Sequence, residues 1–122
     1  MWVQQNNNPK NKRVGDCVVR ALSTALEKEW EEIYADLCLQ GLLYSDLPTA
    51  NSVWGAFLAE KGYIREAIPN TCRCYTVNDF CADNPEGVFI LGTGTHAVTV
   101  INGNYFDVWD SGDEIPIYYF KK

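Results

Sequence analysis

Positive charge is scarce in this sequence: ten Lys and Arg face sixteen Asp and Glu, a net charge of −6 over 122 residues. With no basic block the chain has little with which to neutralise phosphates, so nucleic acid is not an expected partner. No apolar run approaches the roughly 20 residues that span a bilayer, and no membrane partner is expected. The first residues, Met1-Trp2-Val3-Gln4-Gln5-Asn6-Asn7-Asn8, lack the basic region and apolar stretch of a signal peptide, which predicts a soluble, cytoplasmic protein. The 47% hydrophobic, 13% aromatic and 21% charged composition excludes a disordered tail and supplies a core. Neither an internal repeat nor a second domain is visible, and the length suits one compact domain covering 1–122. The five cysteines, Cys17, Cys38, Cys72, Cys74 and Cys81, are an odd number in an apparently leaderless chain. That argues against a disulfide framework and for reduced thiols, one of which could be chemically active.

Residues 1–15 are polar, rich in Asn and Gln, and read as an irregular surface arm. After Gly15, the spacing of Val18, Ala21, Leu22 and Ala25 predicts a helix from Cys17 to about Leu26, with Asp16 as N-cap. A second helix follows a break near Glu27 and Lys28. Trp30, Ile33, Tyr34, Leu37 and Cys38 form its buried stripe and Gly41 its end. A third helix is predicted over Asn51 to Lys61, capped by Thr49 or Asn51, burying Val53, Trp54, Phe57 and Leu58 and stopped by Gly62. Thr76-Val77-Asn78-Asp79 resembles a capping box and opens a short fourth helix closed by Pro85. Beyond Gly87, β-branched and aromatic runs at Val88–Leu91, His96–Ile101, Tyr105–Trp109 and Ile115–Phe120 predict strands. Helices first and strands afterwards predict an α+β fold, N-terminal helices packed on a C-terminal antiparallel sheet.

Cys17 would open an apolar helix, where unpaired N–H groups and the helix dipole favour a thiolate. The alternative is a small buried hydrophobe. His96, the single histidine, opens a strand after Gly92-Thr93-Gly94-Thr95; alternatively it is a polar residue at a surface turn. The turn between the histidine strand and the next one decides which acid meets it. A three-residue Asn102-Gly103-Asn104 loop pairs Val100 with Phe106, Val98 with Val108, and His96 with Asp110, keeping the apolar residues on one face. A two-residue Asn102-Gly103 turn shifts the ladder by one, places His96 opposite Trp109, and moves Asp107 onto the histidine face. The first register is preferred. Cys17 as nucleophile, His96 as base and acid, and Asp110 as orienting carboxylate then form the parts of one acyl-transfer mechanism, with helix-start N–H groups facing the oxyanion.

At these residues the sequence resembles the papain-like cysteine peptidase superfamily. Gly15-Asp16-Cys17 is similar to its Gly-Ser-Cys segment, His96-Ala97-Val98 to its His-Ala-Val strand, and Asp110-Ser111 stands where the Asn-Ser pair follows. Over nearly its full length the chain resembles small uncharacterised bacterial and phage proteins of this kind, through Asp16 to Leu22 and Tyr105 to Asp110. The resemblance implies a papain-like fold and a cysteine peptidase or amide hydrolase acting on a peptide or protein through a thioester, with neither cofactor nor metal. It also implies a side-chain oxyanion donor upstream of the cysteine. The family's glutamine has no clear counterpart, and Asn11, six residues before Cys17, is the candidate. Asp in place of Asn is the orienting acid of related double-glycine exporter peptidases.

Other features have plainer readings. Cys72, Cys74 and Cys81 with His96 could be metal ligands, but Cys-x-Cys is not the usual zinc spacing and Pro69-Asn70-Thr71 suggests a surface loop, so reduced loop thiols and a core Cys81 are expected. Trp109 reads as core, with covering His96 as the alternative. Arg20 reads as a surface ion pair or a carboxylate anchor, and Glu27, Glu29, Glu31 and Glu32 as a solvated face. The competing functional class is an inactive papain-like scaffold that binds a peptide or partner protein.

Overall fold

A computed structural model describes residues 1–69 and 72–122; the loop expected at Asn70 and Thr71 lies outside the described residues. The apolar periodicities resolve into helices α1 (Cys17–Leu26), α2 (Trp30–Tyr44), α3 (Asn51–Glu60) and α4 (Val77–Asp83). The strands are β1 (Trp2–Gln4), β2 (Ile64–Ala67), β3 (Val88–Gly92), β4 (Ala97–Ile101), β5 (Asn104–Asp107) and β6 (Tyr118–Lys121). They form one sheet in the order β1-β5-β4-β3-β6-β2. The class is α+β, helices on a sheet that is antiparallel except where β1 runs parallel to β5.

Two strands come from segments where none was expected. The arm is not wholly irregular: Trp2 to Gln4 line up beside Tyr105 to Asp107, and Trp2 Nε1 donates to the Asp107 carbonyl at 3.1 Å. An edge strand offers unpaired backbone groups, and the arm covers them on β5. On the other side, β2 completes the edge along β6.

Successive residues of the central strands point to opposite faces, so each face acquires its own core. Ile90, Ala97, Tyr118 and Phe120 pack with Val19, Leu22, Ile33, Leu37, Trp54 and Leu58 from α1 to α3. Leu91, Val98 and Val100 pack with Val77, Phe80 and Cys81 of α4. The one polar side chain of β4, Thr99, is fully buried and donates from Oγ1 to the Ala21 carbonyl at 2.5 Å.

Helix ends show where local signals held. The α4 capping box forms: Thr76 Oγ1 accepts from the Asp79 N–H at 3.2 Å, and Asp79 Oδ2 from the Thr76 N–H at 2.9 Å. Gly41 does not end α2, which continues to Tyr44 and closes at Ser45 with φ 53°. Gly41 is a close-packing position, because a Cβ there would lie 2.7 Å from the Asp46 carbonyl oxygen. Tyr34, expected in the buried stripe, is exposed and stacks on Trp30, and Cys38 is half-buried. Cys72 and Cys74, expected as reduced thiols, are joined in a disulfide; their Cα atoms lie 5.2 Å apart, a normal bridging distance.

The β4–β5 connection departs from the preferred register. Ile101 pairs with Asn104, Val100 with Tyr105 and Thr99 with Phe106, so the turn has only Asn102 and Gly103 at its centre. Both have positive φ, 49° and 79°, the signature of a type I′ hairpin turn whose twist matches the flanking strands. Asn102 is further held by accepting the Gly87 N–H at 2.9 Å.

Candidate functional site

Asp16 occupies the N-cap position of α1, yet its carboxylate does not cap the helix. Its Oδ1 accepts Arg20 Nε at 2.9 Å and its Oδ2 accepts Trp30 Nε1 at 3.0 Å. The N–H groups of the first turn, unpaired by helix geometry, therefore keep no side-chain cap. Cys17 is the first residue of that turn and is half-buried.

His96 is delivered by the turn that precedes β4. Its N–H donates to Thr93 Oγ1 at 3.0 Å, its carbonyl accepts the Thr93 N–H at 2.9 Å, and Gly94 makes the turn possible with φ 100°. One ring nitrogen, Nε2, lies 2.6 Å from Asp107 Oδ2. The Cys17 thiol lies within electrostatic reach of the same ring, and each group shifts the titration of the other.

Asp107 is 1% exposed and saturated. Oδ2 accepts His96 and, at 2.8 Å, Ser111 Oγ; Oδ1 accepts Arg20 Nη1 and the Val108 N–H, each at 2.8 Å. Arg20, read as a surface ion pair or anchor, is buried at 7% exposure and joins Asp16 to Asp107, tying α1 to β5. Its positive charge lies between the two carboxylates that it bridges in one buried network.

Electrostatics follow from this arrangement. Burial alone would push the Cys17 thiol up, but hydrogen bonds from His96 and the Ala97 backbone, with the charges of His96 and Arg20, outweigh it and hold the thiol below 9.0. Burial would likewise lower His96, but its bonds to Asp107 and Cys17 and their charges push it up to about 9. For Asp107, burial is overcome by the His96, Arg20 and Ser111 hydrogen bonds, which leave it below its ordinary 3.8. The Cys17 and His96 shifts both favour the charged forms, thiolate and imidazolium. Burial pushes the Cys81 thiol up, so the five cysteines are not equivalent.

Two expected site residues lie elsewhere. Asp110 does not meet His96: it is exposed and accepts from the Tyr105 hydroxyl and, at 3.1 Å, from the Gly112 N–H. The two-residue turn is the reason, since its register carries His96 opposite Trp109 and brings Asp107 within reach. Asn11 is exposed, with its Oδ1 accepting from Asn6 Nδ2 at 3.3 Å, and it is not among the residues lining the cleft at Cys17. Trp109 is not core; at 41% exposure it lies with its ring centroid 5.0 Å from that of His96, shielding one side of the imidazole. Asp107 was legible as the alternative acid through the Asn-Gly turn, whereas the Arg20 bridge between α1 and β5 left no signal in local spacing.

Cys17 and His96 border a cleft of about 290 Å³ that also touches Thr49, Asn51, Trp54 and Gly94. Asn51 spans it, donating from Nδ2 to the Gly94 carbonyl at 3.1 Å while accepting Trp54 Nε1 at 3.0 Å. Among the described residues no group of three or more His, Cys, Asp or Glu side chains is arranged to hold a metal ion, and no helix is long and apolar enough to cross a membrane. Comparisons with protein-family models, curated proteins and solved structures found no match to this chain.

Proposed function

We propose that the chain is a papain-like cysteine hydrolase that cleaves an amide or related acyl bond in a peptide or protein. One observation carries the reading: His96, hydrogen-bonded to Asp107 at 2.6 Å, borders the same cleft as Cys17 at the uncapped start of a helix, and the two perturb each other's titration. In this mechanism the Cys17 thiolate attacks the acyl carbon, and a C–S bond forms while the carbonyl electrons move onto oxygen. Backbone N–H groups of the first turn of α1 stabilise that oxyanion. His96 gives its proton to the leaving amine as the C–N bond breaks, leaving a thioester on Cys17. Water, deprotonated by the now neutral His96, then releases the acid and restores the thiol–imidazole pair. Asp107 holds the imidazole in orientation and stabilises its cation. The order Cys, His, Asp along the chain and their positions on helix and strands support the papain-like reading.

A second reading, a scaffold that binds a peptide without cleaving it, is favoured by the lack of a side-chain oxyanion donor at Asn11 and by the Asn51 amide being engaged with Gly94. Treatment with p-nitrophenyl acetate separates them. The hydrolase releases a burst of p-nitrophenol equal to the protein and carries an acetyl group on Cys17, located by peptide mapping. No acylation above that of Cys17→Ala overturns the hydrolase reading.

A further inference from the structure

The cleft at Cys17 does not end at Asn51 and Gly94. These two residues also line a second cavity of about 520 Å³ that continues between α3 and the β2–β6 edge. Gly55 and Ala56 keep the α3 side free of long side chains, and at the boundary between the cavities Gly94 has no side chain while Asn51 reaches over to its carbonyl. On the far wall stands Arg65, its guanidinium 4.2 Å above the Tyr118 ring. Stacking of this kind holds the planar fork in place while leaving its N–H edges available.

Arg65 is exposed and, among the described residues, has no carboxylate within ion-pair distance. Its neighbour Glu66 is paired with Lys121 at 3.6 Å. Tyr118 connects the two ends of the groove: burial pushes its phenol up, Arg65 pulls it down and Cys17 pushes it up, so both charges lie within electrostatic reach of one ring. The chain's net charge of −6 does not cancel a local cation, because at physiological ionic strength fields decay over about 8 Å.

We propose that the cavity beyond Asn51 and Gly94 is a substrate subsite of the Cys17 cleft, in which Arg65 selects substrates that carry a carboxylate. The carboxylate is an acidic side chain or the end of a peptide chain. This assignment rests on the acyl-transfer reading of Cys17 and gives it a substrate class.

Iodoacetyl peptides test it, because the Cys17 thiolate displaces iodide to form a thioether while the peptide lies in the groove. Rates of Cys17 labelling are compared, by peptide mapping, for a series with glycine spacers of increasing length ending in Glu amide or in Gln amide. A second pair, ending in a free Gly carboxylate or in Gly amide, identifies the source of the acid. At the spacer length that reaches Arg65, the acid should react up to roughly fivefold faster than its neutral partner, the upper end for one charge-assisted contact at an exposed site. That ratio should fall to about one in Arg65→Gln, be partly retained in Arg65→Lys and shrink in high salt. A ratio of one at every spacer length in the wild-type chain, or a preference that persists in Arg65→Gln, overturns the assignment. Cys17 resistant even to plain iodoacetamide at neutral pH overturns the acyl-transfer reading and the subsite with it.

Discussion

Replacing Asp107 by Asn tests the Cys17, His96 and Asp107 arrangement at its base. The carboxylate meets two donors on each oxygen, from His96 and Ser111 and from Arg20 and Val108. An amide keeps one acceptor oxygen, turns N–H groups toward the others, and removes the charge that opposes burial of the His96 cation. The rise of His96 from 6.5 to about 9 corresponds to about 3 kcal/mol. Breaking a buried ion pair costs about 3–5 kcal/mol in general. A loss of about 3 kcal/mol is therefore expected in urea unfolding, large against the ~5–15 kcal/mol of a typical domain. With the His96 cation no longer supported, burial weighs more heavily on Cys17, and its thiol rises toward 9.0 and loses thiolate fraction at low pH. Part of that loss is offset because a more basic thiolate is a better nucleophile. Iodoacetamide labelling of Cys17 near pH 6, followed by peptide mapping on protein shown to be folded by circular dichroism, should slow by about tenfold or more. Asp110→Asn should not slow it, since Asp110 bonds only Tyr105 and Gly112. The reasoning is refuted if Asp110→Asn abolishes the low-pH reaction, or if Asp107→Asn leaves it intact.

Three further outcomes follow from the same geometry. Folding lowers the Cys17 thiol below 9.0 and raises His96 to about 9, so the proton that one releases offsets the proton that the other takes up, and the pair contributes less pH dependence to wild-type stability than His96 would alone. In Cys17→Ser the part of the His96 rise that comes from Asp107 remains; its stabilisation, less than the about 3 kcal/mol of the full shift, is complete below pH 6.5 and is lost as pH rises through the folded pKa. Urea midpoints at pH 6.5 and pH 9 should diverge more in the variant than in the wild type, and an equal slope in both proteins contradicts the ion pair. Gly92→Ala places a Cβ inside the Tyr118 ring and should lower stability by about 1–3 kcal/mol by denaturant titration; a neutral effect would mean that the ring is free to move. Gly103→Ala, at φ 79°, should cost about 1–2 kcal/mol, and an unchanged unfolding midpoint would argue against the two-residue turn.

Legibility of the fold followed the range of the forces. α1, the buried side of α3 and the capping box of α4 are decided by spacing and neighbours within a turn, and all three were readable. Gly41 carried a stop signal, but its role is to admit the Asp46 carbonyl, a contact visible only once the chain doubles back. The arm became a strand because β5 offered an edge, which nothing in residues 2 to 4 announces. Cys72 and Cys74 were read from composition as thiols, and their proximity as partners emerged with the loop.

The sequence by itself determined the α+β class and placed Cys17 at a helix start and His96 at the mouth of a strand. Those are properties of local periodicity and of termination by glycine and polar residues. Only the tertiary structure decided which aspartate serves His96. Both registers of the Asn102-Gly103-Asn104 segment were open, and the preference for Asp110 came from grouping apolar residues on one face. That preference lost because the positive-φ pair Asn102 and Gly103 fits the strand twist, and because Arg20, Ser111 and the Val108 N–H meet a carboxylate at 107. These donors come from α1, from the strand's own end and from the segment after it, so only folding brings them to one carboxylate.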